Sequence, residues 1–302
     1  MRMDRERRAL WLSVVGALFF SLLGFAFFLP TDSEAILLDG FFSLIGFAMG
    51  LLSLRVARLV QSPDDRHFHF GYAAFEPMLN TIKGLIILAV CLFAFSSSVG
   101  SVLDGGRHIN AGWGTVYAVV ATAGCFTIAL IQQRAAKKTG SQLVAVDVRT
   151  WLVDGFMSLV VTLAFVGAFL LSGSRWSHLV PYIDPGLVIV LTTFMFIVPI
   201  RIVVRGAGEL LKIAPDASVQ EEIRERVARV LDAEGLPDRV VRMVRIGREF
   251  WLLIHVLVPP DRSIGRISDL DTIRKRLHAE VAEVETGMVT DVVFTGDREW
   301  AG

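Results

Sequence analysis

Two carboxylates stand where carboxylates are expensive. Asp39 falls in the run Leu37-Leu38-Asp39-Gly40-Phe41-Phe42-Ser43, and Asp154 in Thr150-Trp151-Leu152-Val153-Asp154-Gly155, both inside long apolar stretches. A charged side chain at the bilayer centre costs about 2.5–3.5 kcal/mol on insertion scales, and such residues mark ion or proton paths. A purely structural use is the alternative, as an interhelical hydrogen bond or an ion pair with Lys83. Residues i and i+4 share a helix face. Asp39 and Ser43 are so spaced, Thr150 and Asp154 likewise, and Asp147 lies two turns before Asp154 on the same face. Two helices could thus turn two oxygen-bearing side chains each toward one another. Oxygen-only ligands favour hard cations such as Mn²⁺, Mg²⁺ or Ca²⁺ over Zn²⁺. A helical Ser or Thr can instead bond its own i−4 carbonyl. Asn80 and Lys83 are polar residues of the third stretch that could line the same cavity.

A second group, Asp64, Asp65, His67 and His69, falls within six residues of the segment Asp64–Tyr72. Carboxylates beside imidazoles suit Zn²⁺ or another transition metal. A solvated loop with incidental histidines gives the same pattern.

Six apolar stretches must position the first group: about 10–30, 35–57, 76–98, 112–131, 147–172 and 186–204. Each approaches the ~20 residues that cross a bilayer as a helix. The first is too long for a signal-peptide core and has no small-residue cleavage site after it. Six crossings leave both ends on one side. Arg2, Arg5, Arg7, Arg8, Arg55, Arg58, Arg66, Arg134, Lys137, Lys138, Arg201 and Arg205 border one side, against Arg107 and Arg175 on the other. The positive-inside rule makes both termini cytoplasmic. Gly46 and Gly50 form a G-x-x-x-G that would allow close helix approach. Cys91 and Cys125 read as small packing residues.

The 302 residues are 53% hydrophobic and 20% charged, against about a quarter charged in ordinary globular chains. The zero net charge excludes a binder of nucleic acid by bulk basicity, and the apolar content excludes a disordered chain. Two cysteines exclude a disulfide framework. The zero is a sum of unlike halves. Residues 1–208 carry 16 basic and 12 acidic residues; 209–302 carry 14 and 18. The first is a six-helix transmembrane domain, and the second has the composition of a small soluble α+β domain.

That tail reads α-β-β-α-β. Val219, Ile223, Val227, Val230 and Leu231 form a helical stripe ended by Gly235. Strands at 240–246 and 250–258 flank Gly247-Arg248, which predicts a hairpin. Ser268 can cap a helix running to about Glu285, and 289–295 makes the last strand.

Together these features resemble the cation diffusion facilitator family of divalent-metal transporters. The resemblance covers nearly the whole chain and rests on five motifs in order. They are Asp39 with Ser43; Asp64, Asp65, His67 or His69, Phe70, Gly71, Tyr72 and Glu76; Asp147 with Thr150 and Asp154; Leu210-Leu211-Lys212-Ile213-Ala214-Pro215; and the tail-strand His255. The resemblance implies a central site of four ligands, a metallochaperone-like tail, a homodimer and proton-coupled alternating access.

The departures are informative. Ser43 and Thr150 stand where the family places stronger ligands, so a tetrahedral Zn²⁺ site is not expected. An oxygen-rich site leans to Mn²⁺, Fe²⁺ or Mg²⁺; Co²⁺, Zn²⁺ and Cd²⁺ complete the range. Proton coupling would then run through Asp39, Asp154 or Asp147. A basic residue of the family falls on Ala74 and an acidic one on Lys212, so Lys212 is expected to pair with Glu76 or Asp64. The tail offers His255, with Thr295 and Asp297 at the last strand and His278 exposed on a helix. It is expected to dimerise without a full metal site. The expectation is therefore an inner-membrane divalent cation exporter with no tightly bound cofactor and no enzymatic chemistry. The rivals are a transporter of another ion, even a monovalent one, and a non-transporting sensor or scaffold.

Overall fold

The computed structural model describes residues 2–139, 142–262, 265–285 and 287–301. Side chains at 2–10, 138–139, 142–143 and 145–146 are outside that description, and with them Arg2, Arg5, Arg7, Arg8 and Lys138 of the orientation argument. Contacts divide the chain into two compact units, 1–55 with 82–201, and 56–81 with 202–302.

The apolar stretches are helices α1 (Arg2–Thr31), α2 (Glu34–Leu59), α3 (Phe75–Leu103), α4 (Ala111–Thr139) and α5 (Gln142–Ser172), then α6 (Val180–Met195) and α7 (Ile197–Leu210). A helix satisfies its backbone hydrogen bonds within itself, which hydrocarbon demands. Six spans are long and apolar enough to cross: Trp11–Thr31, Glu34–Leu59, Phe75–Leu103, Ala111–Lys137, Asp147–Ser172 and Ser177–Leu210. Their outward surfaces are apolar, with Phe93, Leu103, Leu170 and Phe194 all at least 70% exposed. Water would not tolerate so many bare large side chains together, whereas lipid does. This is a multi-pass membrane protein.

Two details differ from the sequence reading. The sixth span is α6 and α7, broken at Phe196. Pro199 has no N–H to give the Met195 carbonyl, so the ladder is interrupted there. The span also starts earlier than 186, which puts Asp184 inside α6, fully buried. The close helix approach lies elsewhere than Gly46 and Gly50, whose missing Cβ positions face open space in this chain. It is between α1 and α2, where a Cβ on Gly24 would sit 2.8 Å from the Gly40 Cα.

In the first unit α4 packs along α5, and α1 lies against α4. Phe20, Ile36, Tyr117, Ala121, Cys125, Trp151 and Phe165 form its main buried cluster. A hydroxyl pair, Thr122 and Thr162 at 2.9 Å, joins α4 to α5.

In the second unit the tail forms α8 (Ala217–Ala233), β1 (Arg239–Ile246), β2 (Glu249–Leu257), α9 (Ile267–Val281) and β3 (Met288–Thr295). β1 and β2 are the expected antiparallel hairpin, and β3 joins β2 in parallel after the α9 crossover. Burial alternates along β2, so Phe250, Leu252, Ile254 and Val256 face the core that α8 and α9 close. The start of α9 is capped by Asp269 rather than Ser268: its Oδ2 accepts the Arg266 N–H at 2.9 Å. The helix ends at Val281, short of Glu285.

Candidate functional site

α2 carries Asp39 half-buried near its start, and Ser43 one turn on, also half-buried. The Asp39 Oδ2 accepts a hydrogen bond of 2.5 Å from the Tyr117 hydroxyl of α4. α5 carries Asp154, which lies within Coulombic reach of both Asp39 and Lys83. Asp154 is exposed, and among the described residues no donor hydrogen-bonds it. Two turns after Tyr117 on α4 stands Cys125, buried, hydrogen-bonded with Ser158 and in Coulombic reach of Asp39 and Asp154. The two carboxylates, on two spans, are therefore within electrostatic reach of one another. Thr150, one turn before Asp154, is exposed and engaged in another contact.

Asp147 is committed elsewhere. Ser13 of α1 donates to its Oδ2 at 2.7 Å. The same Ser13 oxygen accepts from Trp151 Nε1 at 2.8 Å and from Gln132 Nε2. One hydroxyl thus ties α1, α4 and α5 together through three partners.

Among the described residues no three His, Cys, Asp or Glu side chains are gathered closely enough to hold a metal. The central pair offers carboxylate oxygens, with the Ser43 hydroxyl one turn along α2. Such a set can hold a hard divalent cation transiently.

A second buried acidic network lies at the start of α2. The Glu34 carboxylate accepts from Arg107 Nη2 at 2.7 Å, from Ser98 Oγ at 2.6 Å and from Ser97 Oγ. Asp184 accepts from Ser33 Oγ at 2.5 Å and from the backbone N–H groups of Glu34 and Ala35 at 2.9 and 3.4 Å. It satisfies N–H groups that a helix start leaves without intrahelical partners. Sequence reasoning missed this network because Glu34 and Arg107 fall at stretch ends, where charges look like loop charges.

In the second unit Asp64, His67 and His69 are exposed. Asp65 builds the loop: its Oδ1 accepts the N–H groups of His67 and Phe68 at 2.8 and 2.9 Å, and its Oδ2 the Tyr72 hydroxyl at 2.6 Å. The Tyr72 bond, followed by the two backbone donors, holds the Asp65 carboxyl below the usual carboxylate range. The same bond pushes the Tyr72 phenol up. His69 Nε2 donates to the Arg66 carbonyl at 3.2 Å. Phe68, Tyr72 and Phe75 stack on one another.

The β1–β2 turn packs on this segment. Arg248 pairs with Glu76 at 3.0 Å, and the Gly247 N–H donates to Glu209 at 3.0 Å. Phe70 and Trp251 meet edge to face with centroids 5.7 Å apart. Among the described residues the expected pairing of Lys212 with Glu76 or Asp64 does not form. Glu76 is taken by Arg248, and Lys212 terminates α7 in a left-handed conformation, φ 57°. On β2, His255 is half-buried between Val240 and Val293, and its Nδ1 has no hydrogen-bond partner among the described residues. Thr295 and Asp297 bond each other in a turn, and His278 Nδ1 meets Thr290 Oγ1 at 3.0 Å.

The cation efflux transmembrane domain model matches residues 10–211. Metal tolerance protein 2 of Oryza sativa subsp. japonica is 24% identical over 84% of this chain and 70% of its own length. Manganese efflux system protein MneP of Bacillus subtilis is 21% identical over 91% of this chain and 90% of its own. Cation-efflux pump FieF of Shewanella oneidensis is 23% identical over 83% and 81%. With six spans in place and the family model matched from the first to the end of the sixth, the chain belongs to the cation efflux family and is a membrane transporter, not an enzyme.

Proposed function

We propose that this protein exports a divalent metal cation from the cytoplasm in exchange for protons, by alternating access, as a homodimer in the cytoplasmic membrane with both termini inside. Asp39 and Asp154 bind the ion, and Ser43, Thr150 and water complete its shell. Residues 1–208 carry the transport path, and 209–302 dimerise and regulate. The observation that carries the reading is that Asp154, which accepts no hydrogen bond among the described residues, stands in Coulombic reach of Asp39 on another span. A carboxylate left without donors inside a span is costly unless a cation arrives to pair with it.

The oxygen-only donors support Mn²⁺ or Fe²⁺ over Zn²⁺. One relative is named for manganese efflux, which agrees with that preference. Asp64, His67 and His69 are exposed, which supports a role for them in capturing ions from the cytoplasm. Asp65 serves the loop first, and Asp147 the Ser13 node. His255 is a single imidazole among valines, which favours a tail that dimerises without a full metal site.

Proteoliposomes with a pH-sensitive dye inside test this against Mn²⁺, Fe²⁺, Co²⁺, Zn²⁺ and Cd²⁺. Uptake of at least one ion with opposite proton movement is expected. No uptake of any ion, together with metal tolerance in cells unchanged by Asp39→Ala and Asp154→Ala, would sink the reading in favour of a sensor or scaffold.

A further inference from the structure

The two candidate ligands sit on helices held in different ways. Asp154 belongs to α5, which lies along α4 for much of its length. Asp39 belongs to α2, which meets α1 closely at the Gly24–Gly40 crossing. Two glycines in contact bring backbones close but have no side chains to interlock. The start of α2 is held by Asp184 through the Glu34 and Ala35 N–H groups, and Phe41 packs on Phe25, so what remains to be set is the direction of the Asp39 side chain.

Beside that crossing, α4 sends Tyr117 to Asp39. The Tyr117 side chain is 1% exposed and its ring packs on Phe27 with centroids 5.6 Å apart. A buried tyrosine needs a hydrogen-bond partner, and the partner it has is Oδ2 of Asp39. One carboxylate oxygen is thereby anchored to the α4–α5 body, and Oδ1 is left for an ion.

We infer that Tyr117 is a positioning residue for transport, fixing the Asp39 carboxylate toward Asp154 so that the pair is assembled before the ion arrives. The inference rests on the reading of Asp39 and Asp154 as the ion-binding pair. Tyr117 holds a ligand in place and does not need to touch the ion. Hydrogen bonds that orient ligating carboxylates change metal affinity by roughly 10–100-fold when removed.

The test is ion uptake by proteoliposomes of the full chain, with Mn²⁺ and Zn²⁺ as probes, comparing wild type, Tyr117→Phe and Thr122→Val. Phenylalanine keeps the packed ring and loses the hydroxyl. The valine loses a hydroxyl bond on the same helix, to Thr162, without touching Asp39. Tyr117→Phe should raise KM for the transported ion by about tenfold and leave kcat within about threefold. Thr122→Val should leave KM within about twofold. An unchanged KM in Tyr117→Phe, or an equal shift in Thr122→Val, would overturn this inference while leaving the transport reading standing. Wild-type vesicles that take up neither ion nor any other of the five would overturn the transport reading, and this inference with it.

Discussion

The first unit sets two pairs of carboxylates around α2, Glu34 with Asp184 of α6 and Asp39 with Asp154 of α5, and furnishes them oppositely. At the start of α2, Glu34 and Asp184 receive six donors between them, including the Arg107 guanidinium. A turn and a half further along α2, Asp39 receives one donor, and Asp154 on α5 receives none among the described residues. The chemistry of the four groups is the same, so the difference lies in what surrounds them. A carboxylate with every oxygen filled is part of the scaffold, because the burial cost is met within the chain. A carboxylate left short of donors carries an unmet cost that a cation can meet. The filled pair pins the start of α2, and Asp39 of the short pair stands on the helix so pinned.

The largest effect expected of this contrast is on transport. Asp154→Asn should reduce ion uptake to background while changing thermal stability in detergent little, since it removes no hydrogen bond among the described residues and loses the attraction of Lys83 along with the repulsion from Asp39. A fall in melting temperature beside retained uptake would reverse the assignment and make Asp154 scaffold. Arg107→Ala should do the opposite. It strands the buried Glu34 carboxylate, and breaking such a pair costs about 3–5 kcal/mol. Arg107 is itself partly exposed, which pulls the expectation to the lower end, about 3 kcal/mol. Chemical or thermal denaturation in detergent reads it. An equally stable Arg107→Ala variant would show that Glu34 is held by Ser97 and Ser98 alone.

What the sequence discloses follows the same line. Asp39 and Asp154 are legible because a lone carboxylate amid leucines and phenylalanines breaks the local pattern. The tail is legible because period-two burial and Gly247 are written locally. Tyr117 is not legible, since a tyrosine in an apolar span looks the same whether it packs or reaches. Glu34, Arg107 and Asp184 are hidden for a further reason. Each sits at the edge of a stretch, and their meeting depends on three helix ends converging, which no local pattern encodes. The displaced partner of Glu76 is a similar case. A family pattern pointed to Lys212, whereas the fold brings the hairpin turn and Arg248 to Glu76.

The contrast extends from side chains to backbone, with a smaller effect. Gly46 faces open space and Gly247 does not. Gly247 has φ +58°, and a Cβ there would sit 2.7 Å from the Ala73 carbonyl oxygen, a backbone atom that cannot swing aside. Gly247→Ala should cost about 1–2 kcal/mol from the left-handed conformation, with the contact adding to it. Gly46→Ala should be neutral in the isolated chain. Equal stability of the two variants, read by denaturation, would show that the turn relaxes away from Ala73.

The smallest effect concerns Asp65, a carboxylate as fully engaged as Glu34 but exposed. Its folded pKa is depressed, chiefly by the Tyr72 hydroxyl. A depressed carboxylate stabilises its surroundings above the unfolded pKa, about 3.9. That contribution is lost as pH falls through the lower folded value. The loop around Asp65 should therefore stay ordered through the neutral and mildly acidic range and loosen below about pH 4. Limited proteolysis by pepsin across pH 2–5, a range that brackets ordinary carboxylate titration, reads the loosening at the Phe68 and Phe70 bonds. Asp65→Asn should keep the two backbone acceptor contacts and lose the ionised partner of Tyr72, so cleavage there should begin at higher pH and vary less across the range. If the two proteins are cut alike, the Asp65 carboxylate does not govern the loop. Exposed to water, a fully engaged carboxylate shapes a turn and little more. The same chemistry buried at the start of α2 holds a helix, and left short of donors between α2 and α5 it can hold an ion.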